Sequence, residues 1–392
     1  MAAPNPFVKD YLMTAGPTPL PPRVLAAMAE PVTYHRAPAF DALFAGILER
    51  LPAVFGTAND VMVLTGSGTA AMDSAVSNLV RPGQAMLACA AGKFGERWLE
   101  LGEAYEAKVV AYDPGWGARL DAGAVERLLG ENPDVDLVYA TLSETSTGVV
   151  HDVRALAEAA RAHDAMLVVD AISGLGATEL RQDEWGIDVV VAGSQKALMT
   201  PPGLGFVSAS QRALDRAAAQ PAGRYYLDWN RAIAEQRKGA TPFTPAVTLL
   251  RALDAALDLI AEEGLDNVLA RHDLLARAAR AGVHGLGLEL YGDPDERSTV
   301  VTAVELPESV DGGKVPGLLR ERGITANGGQ NQLKGKILRI AHCGYFGAFD
   351  ILTSLAGLEL ALHELGADVE LGSGVAGAQR VFAEAGVPVA SA

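Results

Sequence analysis

Between about residues 60 and 210 the chain alternates short, uninterrupted apolar runs with stretches of helical spacing. The runs are VMVL (61–64), AMLACA (85–90), KVVAY (108–112), DLVYATL (136–142), MLVVDA (166–171), DVVVAG (188–193) and GFVSA (205–209). Their apolar residues are continuous rather than alternating, as in strands covered on both faces, and segments such as DVRALAEAARAHD between them repeat with the period of a helix. The pattern predicts an α/β fold with a seven-stranded, mostly parallel sheet. Near Thr244 it changes to long helical stretches, PAVTLLRALDAALDLIAEEG and DNVLARHDLLARAARAG, followed by strand-like TVVTAVEL and KILRIA among helices. A smaller C-terminal α+β domain is expected there. We divide the chain into an N-terminal segment (1–17), a large α/β domain (18–263) and a small domain (264–392).

Composition narrows this picture. A chain of 392 residues exceeds the size that one core usually serves. Hydrophobic residues make up 49% and charged residues 20%, and no apolar run approaches the roughly 18 residues of a membrane span, so a soluble globular protein is expected. The first residues, MAAPNPFVKDYLMTAGPTP, lack a basic region followed by an apolar stretch, and two cysteines, Cys89 and Cys343, make no disulfide framework. A reducing cytoplasm is the expected compartment. The net charge of −16 argues against general binding to nucleic acid or anionic membranes. There is no internal repeat, and the Ala/Gly-rich end is short.

Chemistry enters at the strand ends. GSQKALMTPPG (193–203) sets Lys196 just after a buried strand, in a chain of 24 arginines and 8 lysines that has no other lysine between Lys108 and Lys238. Where arginine is the ordinary cation, a retained amine suggests what a guanidinium cannot do: lose its proton near neutral pH and form imines. The plain alternative is a solvated loop lysine. TGSGTAAM (65–72) joins a strand to a helix beginning near Thr69, where glycines allow close backbone approach and the helix N-terminus offers N–H groups to an anion. Gly66, Gly68 and Ala71 also imitate a dinucleotide fingerprint, but ACAAGKF supplies no acidic residue about 20 positions on, as that reading demands. No P-loop occurs either, and a tight turn without a ligand is the alternative. Asp170 closes a run too apolar to be exposed, so its carboxylate needs a cation or hydrogen-bond donors. In a parallel sheet the carboxyl ends of the strands share one edge, where Asp170, Lys196 and the Gly66 turn converge. An acid, an amine and an anion cradle are what pyridoxal 5′-phosphate requires: an imine-forming lysine, an acidic partner for the ring nitrogen and a phosphate seat.

Taken in order, TAGPTPLPP, GSGTAAM, ETSTG, VVDAISGLGA, GSQKAL with PPG, TPFTP and GKILRIAHCG make the chain resemble the class V, fold-type I aminotransferases of the alanine–glyoxylate and serine–pyruvate group over almost its whole length. The resemblance implies pyridoxal 5′-phosphate as cofactor, with Lys196 as its imine-forming lysine and Asp170 at the ring nitrogen. It places Ser67, Gly68 and Thr69 at the phosphate with Gln195 beside them, and has Thr241 and Thr244 reach in from the other subunit of a homodimer. Phe94 would stack on the ring, Ile172 would pack on its opposite face, and Thr145 would bind the phenolic oxygen. Arg339 would anchor the substrate α-carboxylate, which its planar fork matches, with Gly16 close by. The family's usual Pro-Gly-Pro reads Ala15-Gly16-Pro17 here, which leaves the loop's shape and the substrate side-chain pocket open. His35, Arg36 and Arg97 are candidates for that pocket, with surface or packing roles as alternatives.

Plainer roles compete for several of these residues. Phe94 and Ile172 could be core, Thr244 before Pro245 could cap the long helix, and Arg339 could form a salt bridge to the large domain. The activity expected from the resemblance is a ping-pong transamination from a small amino acid, alanine or serine, to glyoxylate or pyruvate. In it Lys196 removes the α-proton as general base and Asp170 keeps the ring nitrogen protonated. Aspartate, ureidoglycine and aminoethylphosphonate are alternatives within the family, and a dicarboxylate needs a second cation that the sequence does not place. A lyase or cysteine desulfurase needs a thiol on a mobile loop, whereas Cys343 reads as packed and inert. A non-catalytic or dehydrogenase-like nucleotide-binding module leaves Lys196 and Asp170 unexplained. No metal ligands are assigned.

Overall fold

The computed structural model describes residues 9–220 and 223–386. All seven apolar runs form strands, at Val61–Thr65 (β2), Ala85–Cys89 (β3), Lys108–Tyr112 (β4), Leu137–Thr141 (β5), Met166–Asp170 (β8), Val189–Gly193 (β9) and Leu204–Ala209 (β10). They make one sheet in the order β2-β10-β9-β8-β5-β3-β4. β10 is antiparallel to both its neighbours and the remaining pairs are parallel, so six strands point one way and end at one edge. The unbroken apolar runs follow from two covered faces. Val61, Val63, Val169 and Val190 enter one core, while Met62, Leu64, Val168, Val189 and Val191 enter the other. Two of the helices between strands, Ala122–Glu131 and Val153–Ala162, start at a capping aspartate. Asp152 takes the Ala155 N–H at 2.9 Å to open the helix Val153–Ala162.

A second sheet of order β1-β12-β13-β11 combines Tyr11–Met13 (β1), Val301–Glu305 (β11), Ile324–Gly328 (β12) and Ile337–Ala341 (β13). β11 and β13 fall on the predicted TVVTAVEL and KILRIA. β1 brings the N-terminal segment in parallel to β12, so residues 14–18 are delivered to the edge where the main sheet ends. The helices Val247–Glu263 and Leu265–Gly285 occupy the two predicted long stretches and meet at Gly264, whose φ of +83° turns the chain between them. A short hairpin, Ser143–Glu144 (β6) with Val149–Val150 (β7), follows β5. The Ala/Gly-rich end forms a helix, Ser373–Glu384, and residues 387–392 of it lie outside the described chain.

Candidate active site

The turn after β9 is closed around Ser194. Its hydroxyl donates to the Pro201 carbonyl at 2.6 Å and accepts the Leu204 N–H at 3.2 Å, which returns the chain into β10. Gln195 and Lys196 stand at the rim of this turn, held from outside by Thr18, whose N–H donates to the Gln195 carbonyl at 3.2 Å and whose hydroxyl donates to the Lys196 carbonyl at 3.1 Å. The Lys196 ammonium donates to the Ala15 carbonyl. Gly16 adopts φ +129°, which L side chains rarely take up, and a Cβ there would lie 2.3 Å from Lys196 Nζ, so a larger residue would strain the backbone and displace the end of the lysine. The loop is fixed from the second sheet by Asn327, whose Oδ1 accepts the Ala15 N–H at 3.0 Å.

Asp170 ends β8 in register with Thr141 of β5 and Val191 of β9. It is buried, and its Oδ1 accepts the Ile172 N–H at 2.8 Å. Burial pushes its carboxyl up to about 7, and Glu144 adds to this, while the Ile172 bond and the cations Arg97 and Lys196 act the other way. Loss of hydration lowers the Lys196 amine below the usual lysine range, and the Arg339 charge works in the same sense. Beside them the helix Gly68–Leu79 begins at N-cap Ser67 with no side-chain cap, leaving its first N–H groups for another acceptor. Gly68 lets Ile172 lie against this terminus, since a Cβ there would be 2.7 Å from Ile172 Cδ1.

Phe94 opens the helix Lys93–Ala104 across the cleft, and Glu144 holds that end in place. One Glu144 oxygen accepts the N–H groups of Phe94 at 3.0 Å and Gly95 at 2.9 Å, and the other accepts the Ser146 N–H at 3.1 Å and its hydroxyl at 2.5 Å. The neighbouring Thr145 carbonyl accepts Arg339 Nη1 at 2.9 Å, and Arg339 Nε donates to Gly328 O at 3.0 Å. Arg339 is buried on β13 and makes no ion pair among the described residues, so the salt bridge considered for it is not formed and part of its fork remains for an anion. Desolvation lowers its pKa to about 10, a change too small to discharge it at neutral pH.

Ser67, Gly68, Thr69, Phe94, Thr145, Asp170, Ile172, Gln195 and Lys196 thus line one cleft together with Arg97, Ser143 and Ser173, and Arg339 and Gly16 adjoin it through Thr145 and Lys196. Thr241 and Thr244 do not reach it. They line a separate hollow with Phe44, Tyr226 and Phe243. Thr244 is not the cap of the long helix, whose N-cap is Ala246. His35 stacks edge-on against Tyr34 and Arg36 is exposed, both away from the cleft. Cys343 is buried, its thiol held up to about 11 by desolvation, so no mobile thiolate is available to a desulfurase reaction. Among the described residues no cluster of His, Cys, Asp and Glu is placed to hold a metal. The sequence reading passed over Glu144 and Asn327. Glu144 carried a usable signal, since a carboxylate between LVYATL and a turn of small residues must be satisfied locally, as was argued for Asp170.

With this geometry in place, comparison with known proteins is informative. The model of the aminotransferase class-V family matches residues 10–342. An uncharacterized aminotransferase of Methanocaldococcus jannaschii is 40% identical, covering 96% of this chain and 98% of that protein. The serine–glyoxylate aminotransferase of Arabidopsis thaliana is 36% identical, with 94% of each covered. The crystal structure of the ureidoglycine–glyoxylate aminotransferase of Bacillus subtilis superposes with a TM-score of 0.91 at 32% identity, over 98% of this chain and 100% of that one.

Proposed function

The chain belongs to the class V aminotransferases, and from that premise we propose that it moves an amino group from alanine or serine to glyoxylate or pyruvate. Enzymes of this family depend on pyridoxal 5′-phosphate. The cleft fits that cofactor. A lysine and a buried acid face it, and an uncapped helix terminus with free N–H groups borders it. The observation that carries the reading is the convergence of Lys196, Asp170 and the Ser67–Thr69 turn beside Arg339.

In this reading Ser67, Gly68, Thr69 and Gln195 hold the phosphate, Phe94 and Ile172 flank the ring, Thr145 serves its phenolic oxygen and Asp170 its nitrogen. When bound, the cofactor supplies an aldehyde that forms an imine with an amine and a protonated ring that takes up the electron pair released at the substrate α-carbon. Lys196 does the proton work. Its amine, made less basic by burial, accepts the α-proton at Nζ and later returns it. Asp170, ionised, balances the charge on the ring nitrogen, and the uncommitted part of the Arg339 fork takes the substrate α-carboxylate.

A small substrate is favoured because the other cations of the cleft, Lys196 and Arg97, are turned to the Ala15 carbonyl and to Thr69, and a distal carboxylate would find no further cation there among the described residues. The test is a half-reaction screen with single amino acids, following conversion of the bound pyridoxal form to the pyridoxamine form. Alanine or serine should react with release of pyruvate or hydroxypyruvate, and reaction with aspartate alone would overturn the assignment. We further read the chain as a cytoplasmic homodimer divided at 17/18 and 263/264. Support for the dimer comes from Thr241 and Thr244 facing away from their own chain's cleft and from exposed Tyr34, Tyr225 and Tyr226. No described helix is long and apolar enough to cross a membrane.

A further inference from the structure

Arg97, a candidate for the substrate side-chain pocket, lines the cleft on the side of the Ser67–Thr69 turn. It follows Phe94 by three residues on the helix Lys93–Ala104, so both side chains share a face. Its Nη1 donates to Thr69 Oγ1 at 3.1 Å, and its Cζ lies 5.3 Å from the centre of the Phe94 ring. Among the described residues it makes no ion pair, although the chain carries 48 acidic residues against 32 basic ones. The nearby acid Glu96 is engaged instead by Lys93 and by the Trp116 indole N–H.

The seat formed by Ser67, Gly68, Thr69 and Gln195 is entirely neutral. A phosphate monoester carries about −1.5 to −2 charges at pH 7, and a cradle of neutral residues, with Ser67 and Thr69 exposed, supplies no counter-ion for it in an acidic protein. Two cations line the cleft, Lys196 and Arg97. Lys196 is turned to the Ala15 carbonyl and has to be neutral for part of a reaction cycle. Arg97 is left. We propose that Arg97 is the counter-ion of the cofactor's phosphate, acting directly and through Thr69. A hydroxyl has one proton and two lone pairs, so a Thr69 oxygen that accepts from Arg97 keeps its own proton for the phosphate. The same guanidinium stands near enough to Asp170 and Lys196 to favour the ionised acid and the neutral amine.

The inference rests on the reading of Ser67–Thr69 as the phosphate seat, and the experiment separates the two. The full chain, stripped of cofactor, is titrated with pyridoxal 5′-phosphate and with pyridoxal, which lacks the phosphate, by equilibrium dialysis. The wild type should prefer the phosphorylated compound strongly. In R97M that preference should fall by about tenfold or more, the size of a charge-assisted hydrogen bond, with pyridoxal affinity little changed. R97K should keep most of the preference, and R97Q is read in place of R97M should R97M fold poorly. Equal weakening of both compounds, or an unchanged preference, would overturn the role of Arg97 while leaving the seat intact. A wild type that does not distinguish the compounds would remove the seat itself and the proposal with it.

Discussion

Asp170 shows how one buried residue ties the site to the stability of the chain. Its carboxyl is raised to about 7 because burial strips it of water, whereas the unfolded chain ionises the same group near 4. Between those values the folded, cofactor-free protein holds a proton that the unfolded chain releases. Stability from this group is therefore greatest at low pH and is lost as pH rises from about 4 through 7, by at most about 1.4 kcal/mol per pH unit. The buried His151, His272 and His342, lowered to about 4, 3 and 3, act with the opposite sign over most of that range, up to the ordinary histidine value of about 6.5. The Asp170 contribution must be read as a difference. In urea unfolding of cofactor-free protein from pH 5 to 8, D170N should gain stability relative to wild type as pH rises, and parallel profiles would mean that Asp170 ionises normally. That Asp170 and Lys196 would meet at one sheet edge was legible in the sequence, because a charge closing an apolar run has few cheap explanations. Gly16 was expected near the substrate carboxylate; the structure adds that a Cβ there would meet Lys196, a contact across 180 positions that no local pattern announces.

Elements explain what was readable and what was not. The seven strands of the main sheet were legible because covering both faces forces continuous apolar runs, and the edge where six of them end then followed from topology. β1 and β12 were not, because Tyr11–Met13 and ITANG are short and weakly apolar, and only pairing across more than 300 residues makes them strands. The β6–β7 hairpin escaped for the same reason, yet it carries Glu144, which joins the Phe94 helix to the turn whose carbonyl holds Arg339. E144Q tests that link. A glutamine can offer only one accepting oxygen where two are used, so either the Phe94 and Gly95 N–H groups or the Ser146 donors lose their acceptor. The expected cost is roughly 2 kcal/mol in urea unfolding of the loaded enzyme, with KM for the amino acid rising more than kcat falls as Thr145 and Arg339 shift. Stability and KM both equal to wild type would mean the helix end does not need the carboxylate.

At the scale of the whole molecule, one chain presents a cleft without its threonines and threonines without a cleft. Thr241 Oγ1 donates to the Phe243 carbonyl at 2.8 Å and Thr244 is exposed, both beside a hollow edged by Tyr226, which stacks on Phe243 at 5.1 Å between centroids. A second copy supplying these hydroxyls to the phosphate would resolve the mismatch and cover the aromatic surface. Subunit complementation decides the matter. K196A chains lack the amine but keep both threonines, and T241V/T244V chains keep Lys196 but should bind the cofactor about tenfold or more weakly. Neither homodimer should be active at limiting cofactor. When the two are co-expressed and separated by distinct tags, the mixed dimer contains one cleft with Lys196 from the double variant and threonines from the K196A chain. That cleft should recover close to half of wild-type activity per dimer. If each chain uses its own threonines, the cleft with Lys196 lacks them and the cleft with threonines lacks Lys196. The mixed dimer would then be no more active than its parents, and the shared site would be ruled out.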